Sequence, residues 1–260
     1  MGSDALNIRY IFALSIFTGF ILLFYVGLHA YADKGRPHYE QTGEVLWEID
    51  TQEKIVAITF DDGPDDKYTN QILDLLAEYE AKATFFILGK NAEKHPEVIL
   101  RQFEEGHELA NHTYTHPWNT TLKRIEEEMQ KTNDIIYSIT GFKPILFRPV
   151  GGLYTDGMID VAVKNGYTVI MWSWHQDTED WKDPGVRKIV NKVLGGTKPG
   201  DVILFHDGGS DRTQTVEALK EILPVLKKQG YRFVTISEML EMKKNKKGEN
   251  IKEDNRRISQ

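Results

Sequence analysis

The sequence alternates between short apolar segments rich in β-branched or aromatic residues and longer segments with helical periodicity. Seven of the short segments predict strands: Ile55–Phe60, Ala83–Leu88, His107–Ala110, Ile145–Phe147, Tyr167–Trp172, Val202–Phe205 and Tyr231–Ile236. The helical segments lie between them, and Pro224 predicts a kink or a break in the last one. Such alternation is typical of a parallel sheet with crossover helices. We therefore predict an α/β fold, a distorted and incomplete (β/α) barrel of about seven parallel strands.

An uncharged apolar segment precedes this alternation. Residues 10–28 read YIFALSIFTGFILLFYVGL, and about 20 apolar residues span a bilayer as a helix. Residues 30–32 read AYA, which resembles a signal-peptide cleavage site. We assign residues 1–32 to a transmembrane anchor or signal segment and residues 33–44 to a linker. Either interpretation places the rest of the chain outside the cytoplasm, anchored to the membrane or secreted after cleavage.

Composition limits what the remaining residues do. The 260-residue chain carries a formal net charge of -7, which argues against a nucleic-acid-binding surface. It has no cysteine, so disulfides and thiolate metal sites are excluded. We predict one catalytic domain over residues 45–241. Residues 242–260 are almost all polar or charged and predict a disordered tail.

Polar residues gather directly after the predicted strands. They are Asp61 and Asp62 after the first strand, His112 and His116 after the third, Arg148 after the fourth, the stretch WSWHQDTEDW (172–181) after the fifth, and His206 after the sixth. In (β/α) barrels the carboxyl ends of the strands meet at one rim, where the functional residues lie. We therefore expect these side chains to converge.

The residue types at this rim suit a divalent cation. His112 and His116 are four residues apart, the separation of one helical turn, and with one carboxylate they would supply three ligands. One of the two aspartates would bind the cation, and the other would be free to act as a base. Taken singly, each motif has a simpler explanation: Asp-Asp-Gly is commonly a turn, and tryptophans are commonly core residues. Their joint occurrence at successive strand ends favours a site.

Two of the motifs resemble those of a known family. TFDDGP (59–64) and HTYTH (112–116), in this order, are similar to motifs of the polysaccharide deacetylases, the family-four carbohydrate esterases with the nodulation-protein homology domain. The resemblance covers roughly residues 45–240, and within the family the chain resembles the peptidoglycan N-acetylglucosamine deacetylases of Gram-positive bacteria. It implies a distorted (β/α) barrel and a metal-dependent hydrolase, with zinc as the expected cation and cobalt as an alternative.

The resemblance also implies roles for residues on the metal side of the site. It makes Asp62, His112 and His116 the metal ligands. It makes Asp61 the general base and Arg148 the residue that holds this base.

Roles on the other side of the site follow from the same resemblance. His206 corresponds to the general acid and Asp180 to the carboxylate that orients it. Leu204 corresponds to the acetyl-binding wall, Trp181 to the apolar wall beside that histidine, and Gly151 to the residue whose backbone N–H faces the oxyanion.

The chain departs from the family pattern in two places. The third motif usually reads Arg-Pro-Pro-Tyr-Gly, but residues 148–152 read RPVGG, so a substrate-lining ring is missing at Gly151. The fourth motif lies in a longer segment, where Asp177 and Asp180 both fit the carboxylate position.

We expect removal of N-acetyl groups from a cell-wall glycan, most simply the N-acetylglucosamine of peptidoglycan, by a monomer that binds no nucleic acid. Chitin oligomers and O-acetyl xylan are alternative substrates. A glycosidase with Asp61 and Asp62 as its acid pair is disfavoured, because neighbours on a strand point to opposite faces. A catalytically silent glycan-binding module is the remaining alternative.

Overall fold

The structure is a computed structural model that describes residues 34–244. Within that range every strand pairing is parallel. The strands are β1 (Val45–Leu46), β2 (Ile55–Asp61), β3 (Ala83–Ile87), β4 (Glu108–Asn111), β5 (Leu146–Phe147), β6 (Thr168–Ile170), β7 (Val202–His206) and β8 (Arg232–Phe233).

Helices connect the strands. The α-helices are α1 (Gly35–Thr42), α2 (Tyr68–Glu78), α3 (Gly89–Lys94), α4 (Pro96–Glu104), α5 (Leu122–Thr140), α6 (Asp156–Lys164), α7 (Val186–Gly196) and α8 (Thr213–Lys228). Short 3₁₀ helices cover Val150–Gly152, Trp174–Gln176 and Asp180–Lys182. The long helix α5 has a sequence signal at each end: the Thr121 hydroxyl accepts the backbone N–H of Arg124, and Gly141 ends the helix at φ +70°.

The strand order is β1-β6-β5-β4-β3-β2-β7, and β8 pairs with the start of β2. The sheet is curled into a half-barrel, so the prediction of an incomplete barrel of parallel strands is confirmed. All seven predicted strands are present, and β1 is an addition. The segment after β6 pairs locally with β7. The backbone N–H of Ser173 donates to the carbonyl of Val202, and Asp177 forms an isolated β-bridge with Leu204.

The burial pattern of β2 shows which of its residues reach the rim of the sheet. All seven of its residues are buried, and the five apolar ones divide between two apolar clusters. Val56, Ile58 and Phe60 belong to the cluster that contains α2, α7 and α8. Ile55 and Ala57 belong to the cluster inside the curl. Since side chains alternate along a strand, residues 59 and 61 continue the inner face, where β2 reaches the open rim.

Three predictions concern segments near the ends of the described range. Residues 33–44, assigned to a linker, include helix α1. Residues 236–244 are helical, so the predicted tail begins inside a helix that is anchored by buried Ile236 and Met239. The predicted anchor and most of the predicted tail lie outside the described residues. Within residues 34–244, no helix has the length and apolarity needed to cross a bilayer.

Candidate active site

The two adjacent aspartates both face one cavity, contrary to the expectation that they point to opposite faces. Asp61 ends β2, and Asp62 takes φ +73°, a left-handed conformation that leaves the strand path. As a result Asp61 Oδ2 lies 3.7 Å and Asp62 Oδ1 3.6 Å from His112 Nε2. The argument that Asp61 and Asp62 point to opposite faces, which disfavoured a glycosidase, is therefore wrong for this chain.

The two histidines lie in a loop after β4 and not on a helical turn. Thr113 and His116 take φ +71° and φ +63°, and these two left-handed residues fold the loop back on itself. His116 Nε2 lies 3.3 Å from Asp62 Oδ1, and the two imidazole centroids are 5.3 Å apart. The four-residue spacing thus brings both rings to one place, but through strained loop geometry.

Side chains from neighbouring elements hold this loop. The buried carboxylate of Glu128, on α5, accepts the backbone N–H groups of Tyr114 and Thr115 at 2.8 and 2.6 Å. Asn111 Oδ1 accepts the N–H of Thr113 at 2.9 Å. Because these buried acceptors are hydrogen-bonded to the loop, they hold residues 113–115 in a backbone conformation that an isolated peptide would not adopt.

A backbone carbonyl sets the tautomer of His112. Its Nδ1 lies 2.7 Å from the carbonyl oxygen of Arg148. Because a carbonyl can only accept, Nδ1 carries the proton and the Nε2 lone pair faces Asp62. Metal-binding histidines are commonly oriented by such a hydrogen bond at the distal nitrogen.

Asp62, His112 and His116 fit a divalent cation. One ligand atom from each lies within 4.8 Å of the others. Asp62 Oδ1 is buried without a hydrogen-bond partner, which is costly unless a cation or water satisfies it. Burial and the neighbouring His112 ring lower the pKa of His116, which favours the neutral imidazole that ligates metals. Two nitrogens and one carboxylate oxygen are typical of catalytic zinc sites.

Arg148 fixes Asp61. Its fully buried guanidinium donates from Nη1 to Asp61 Oδ1 at 2.7 Å and to the Thr59 hydroxyl at 2.9 Å. Nε and Nη2 donate to the carbonyl groups of Ile170 and Met171 at 3.1 and 2.8 Å. With Oδ1 held, Asp61 Oδ2 remains directed at the cation site.

Asp180 is the carboxylate that contacts His206. Its Oδ1 lies 2.7 Å from His206 Nδ1, while Oδ2 accepts the His206 backbone N–H and the Thr215 hydroxyl at 2.9 and 2.6 Å. Asp177 instead accepts the backbone N–H of Glu179. Of the two positions that fit the fourth motif, the geometry therefore favours Asp180.

The charges around His206 keep it protonated. Burial lowers the pKa of His206, but the hydrogen bond and charge of Asp180, together with the charges of Asp61 and Asp62, raise this pKa to about 9. A divalent cation beside Asp62 would offset part of this charge. The cationic imidazolium is the form that can donate a proton.

These groups line a cavity of about 420 Å³. Its lining is Asp61, Asp62, His112, His116, Trp118, Gly151, Leu153, Trp172, Asp177, Trp181, Leu204 and His206. Leu204 is 4% exposed and forms part of the floor, whereas Trp181 is 52% exposed. The three residues that the resemblance assigned to substrate binding thus all reach the cavity.

The structure adds residues that the sequence did not single out. Asp207 packs beneath the aspartate turn, and a Cβ on Gly63 would lie 2.2 Å from its carboxylate. Thr59 could have been identified from the sequence, because it lies two residues before Asp61 on the same face of β2. For Glu128 the sequence gave only a weak indication, a carboxylate within an apolar helical stripe. Trp118 follows His116 by two residues, and nothing in the sequence marked it.

The curled parallel sheet with a histidine–aspartate cluster at its rim is the arrangement that the resemblance to polysaccharide deacetylases implied. Residues 48–170 match the polysaccharide deacetylase family. A peptidoglycan-N-acetylglucosamine deacetylase of Bacillus cereus is 49% identical over 215 residues, covering 80% of this chain and 98% of the relative. The chain therefore belongs to the polysaccharide deacetylase family.

Two further comparisons agree. A chitooligosaccharide deacetylase of Sinorhizobium fredii is 36% identical over 189 residues, which cover 68% of this chain and 87% of the relative. The solved structure of the Bc1960 peptidoglycan N-acetylglucosamine deacetylase matches with a TM-score of 0.75 at 37% identity, covering 79% of this chain and 96% of that one.

Proposed function

We propose that the chain is a metal-dependent N-deacetylase that removes acetyl groups from the N-acetylglucosamine of peptidoglycan. The observation that carries the proposal is the convergence of Asp62, His112 and His116 on one point beside Asp61. The similarity to named peptidoglycan deacetylases supports the substrate. A single cavity joins this cluster to His206, as acid–base hydrolysis requires.

The metal ligands are Asp62, His112 and His116, with Zn²⁺ as the expected cation and Co²⁺ as a substitute. When bound there, the cation would polarise the acetyl carbonyl and lower the pKa of a bound water. The protein orients the ligands through the Arg148 carbonyl, which fixes the His112 tautomer.

Asp61 serves as the general base. Its Oδ2 faces the cavity and takes the proton of the attacking water, while Arg148 keeps Oδ1 engaged. The bond to Arg148 fixes the orientation of the carboxylate, so that Oδ2 stays directed at the cavity.

His206 serves as the general acid. It gives a proton to the leaving amine, which is a poor leaving group as an anion. Asp180 orients the ring and stabilises its cationic form. The backbone N–H of Gly151 faces the oxyanion, and Leu204 with Trp181 encloses the acetyl methyl group.

Other substrates and chemistries remain as outcomes of the test. Chitin oligomers are supported by the rhizobial relative, and O-acetyl xylan would use the same groups. A glycosidase would cut the chain, and a silent binding module would release nothing.

The expected result is acetate release from purified peptidoglycan, abolished by a chelator and restored by Zn²⁺ or Co²⁺. Chitin oligomers and acetylated xylan are assayed beside it, and reducing ends are measured in every reaction. New reducing ends without acetate would identify a glycosidase. No acetate from any of these polymers, with metal present, would contradict deacetylase activity.

The pH profile tests the pair formed by His206 and Asp180. For Asp180→Asn we expect the alkaline limb of kcat/KM to move toward the ordinary histidine pKa of 6.5, because the charge that raises the pKa of His206 to about 9 is lost. The sign follows from the acid role, since activity requires the protonated ring and falls as pH rises through its pKa. The limb is measured from pH 5 to 10.

Asp177→Asn is the matched control for this profile. Asp177 lies in the same segment and the same cavity, but its hydrogen bond goes to Glu179. The limb should move less than in Asp180→Asn. An unchanged alkaline limb in Asp180→Asn would remove Asp180 from this role.

The location proposed from the sequence is extracytoplasmic, with attachment to the membrane through the apolar segment of residues 10–28. Peptidoglycan lies outside the membrane, so substrate and location agree. Membrane fractionation of the full chain, with and without a deletion of residues 10–28, measures the attachment.

A further inference from the structure

The space beside Gly151 is filled by the indole of Trp118. A Cβ at Gly151 would lie 2.6 Å from Cζ3 of Trp118 and 3.0 Å from Cη2, closer than carbon atoms pack. Gly151 also takes φ +58°, a conformation that side chains disfavour. The backbone at residue 151 and the ring of Trp118 therefore fit together only if residue 151 is glycine.

Trp118 is placed against the proposed metal site yet remains open to solvent. The centroids of the Trp118 and His116 rings lie 5.2 Å apart, and the two ring planes meet at 86°. Trp118 lines the active-site cavity, and 63% of its surface is exposed. A large aromatic ring that is half open at a cavity mouth offers an apolar face to a ligand.

The topology separates Trp118 from the residues proposed to enclose the acetyl group. Trp118 and Gly151 lie in the segments that follow β4 and β5, whereas Leu204 is on β7 and Trp181 on the segment that precedes it. In the strand order, β4 and β7 are separated by β3 and β2. The same cavity extends from Leu204 and Trp181 on the β7 side to Trp118.

We propose that Trp118 is a specificity-determining residue that stacks on the apolar face of a pyranose ring in the glycan chain. Gly151 supports this position, because any side chain there would displace the indole. The inference rests on the proposed deacetylase function and adds which group in this chain binds the polymer. The ring that is missing at residue 151 is thus supplied by residue 118.

The first test separates substrate binding from chemistry. For Trp118→Ala acting on N-acetylated chitopentaose we expect KM to rise about tenfold, equivalent to about 1.4 kcal/mol, while kcat changes less than about twofold. Trp118→Phe should recover most of the loss, because it restores an aromatic face. The Zn²⁺ content should equal that of the wild type, which excludes an indirect effect through His116. Trp174→Ala is the control, since Trp174 is 68% exposed and lies outside the cavity lining.

The second test measures the coupling between the two residues. Gly151→Ala keeps the backbone N–H but collides with the indole, so its KM should rise as in Trp118→Ala, and kcat should fall as well because the left-handed backbone at residue 151 is strained; the coupling is therefore evaluated from KM. In the double variant the two losses should not add, because the collision no longer exists. Additive losses, or an unchanged KM in Trp118→Ala with wild-type kcat, would overturn the inference.

Failure of the proposed function would look different. A wild type that releases no acetate with any metal would contradict the deacetylase activity but leave glycan binding measurable. Calorimetric titration of the wild type and Trp118→Phe, Trp118→Ala variants with chitopentaose then decides. Equal affinities in all three proteins would overturn the stacking role, and a loss confined to the alanine variant would support it.

Discussion

Substitution of Asp62 is expected to remove bound zinc and acetate release together. Asp62 Oδ1 is the buried oxygen shared by the two histidines, at 3.6 Å from His112 and 3.3 Å from His116, and it has no hydrogen-bond partner among the described residues. Loss of a group that only orients a ligand already costs about 10- to 100-fold. Loss of the ligand itself should lower zinc affinity and kcat/KM by more than about 100-fold.

The choice of substitution and a control variant make the result of this experiment interpretable. Asp62→Asn keeps the size of the side chain and tolerates φ +73°, whereas Asp62→Ala adds backbone strain. His116→Ala removes a second ligand and should behave in the same way, and His116→Asn is made beside it because alanine at φ +63° adds backbone strain. Asp66→Ala, an exposed residue outside the cavity lining, is the control. Zinc is measured by elemental analysis, and full metal occupancy with normal turnover in His116→Ala would disprove the ligand assignment.

Asp61→Asn is expected to keep the zinc but lose most of the rate. The amide preserves the shape of the carboxylate and leaves an oxygen for Arg148, but it cannot take a proton from water. Removal of a general base typically costs about 10²- to 10⁴-fold in kcat. Acetate release under saturating substrate and the zinc content of the same samples are the two measurements.

Thr59→Val provides the matched control for Asp61→Asn. Thr59 accepts from the same Nη1 of Arg148, so this variant disturbs the support while the carboxylate remains. Its loss of rate should be much smaller. Wild-type turnover in Asp61→Asn would exclude Asp61 as the base.

The sequence predicted the strands because each is a short apolar segment at regular spacing. It missed β1, since Val45–Leu46 is too short to show a pattern. A kink or a break was expected at Pro224, and the break is absent, because α8 continues through that residue. The buried face of α8, formed by Leu219, Ile222, Leu223 and Leu226, holds the helix despite the lost hydrogen bond.

The site was harder to predict because its geometry depends on distant contacts. The residue types and their order indicated a cation site, but not the positive φ of Asp62, Thr113 and His116. Such conformations are stabilised by tertiary partners, here including Glu128 from another element, and leave no local signal. Spacing alone favoured a helical turn for the histidines and opposite faces for the aspartates, and both expectations were wrong.

The burial of Arg148 has a consequence for how this lineage could lose its activity. Its guanidinium joins β2 to the backbone after β6, so removing Asp61 leaves a buried cation without its counter-charge, a change that costs about 3–5 kcal/mol. His116 is partly exposed and lies in the loop after β4, so its loss leaves no cationic side chain buried without a counter-charge. In relatives that have lost the activity, we therefore expect His116 to be replaced first, whereas Asp61 and Arg148 should be retained because removing one partner of their ion pair destabilises the fold.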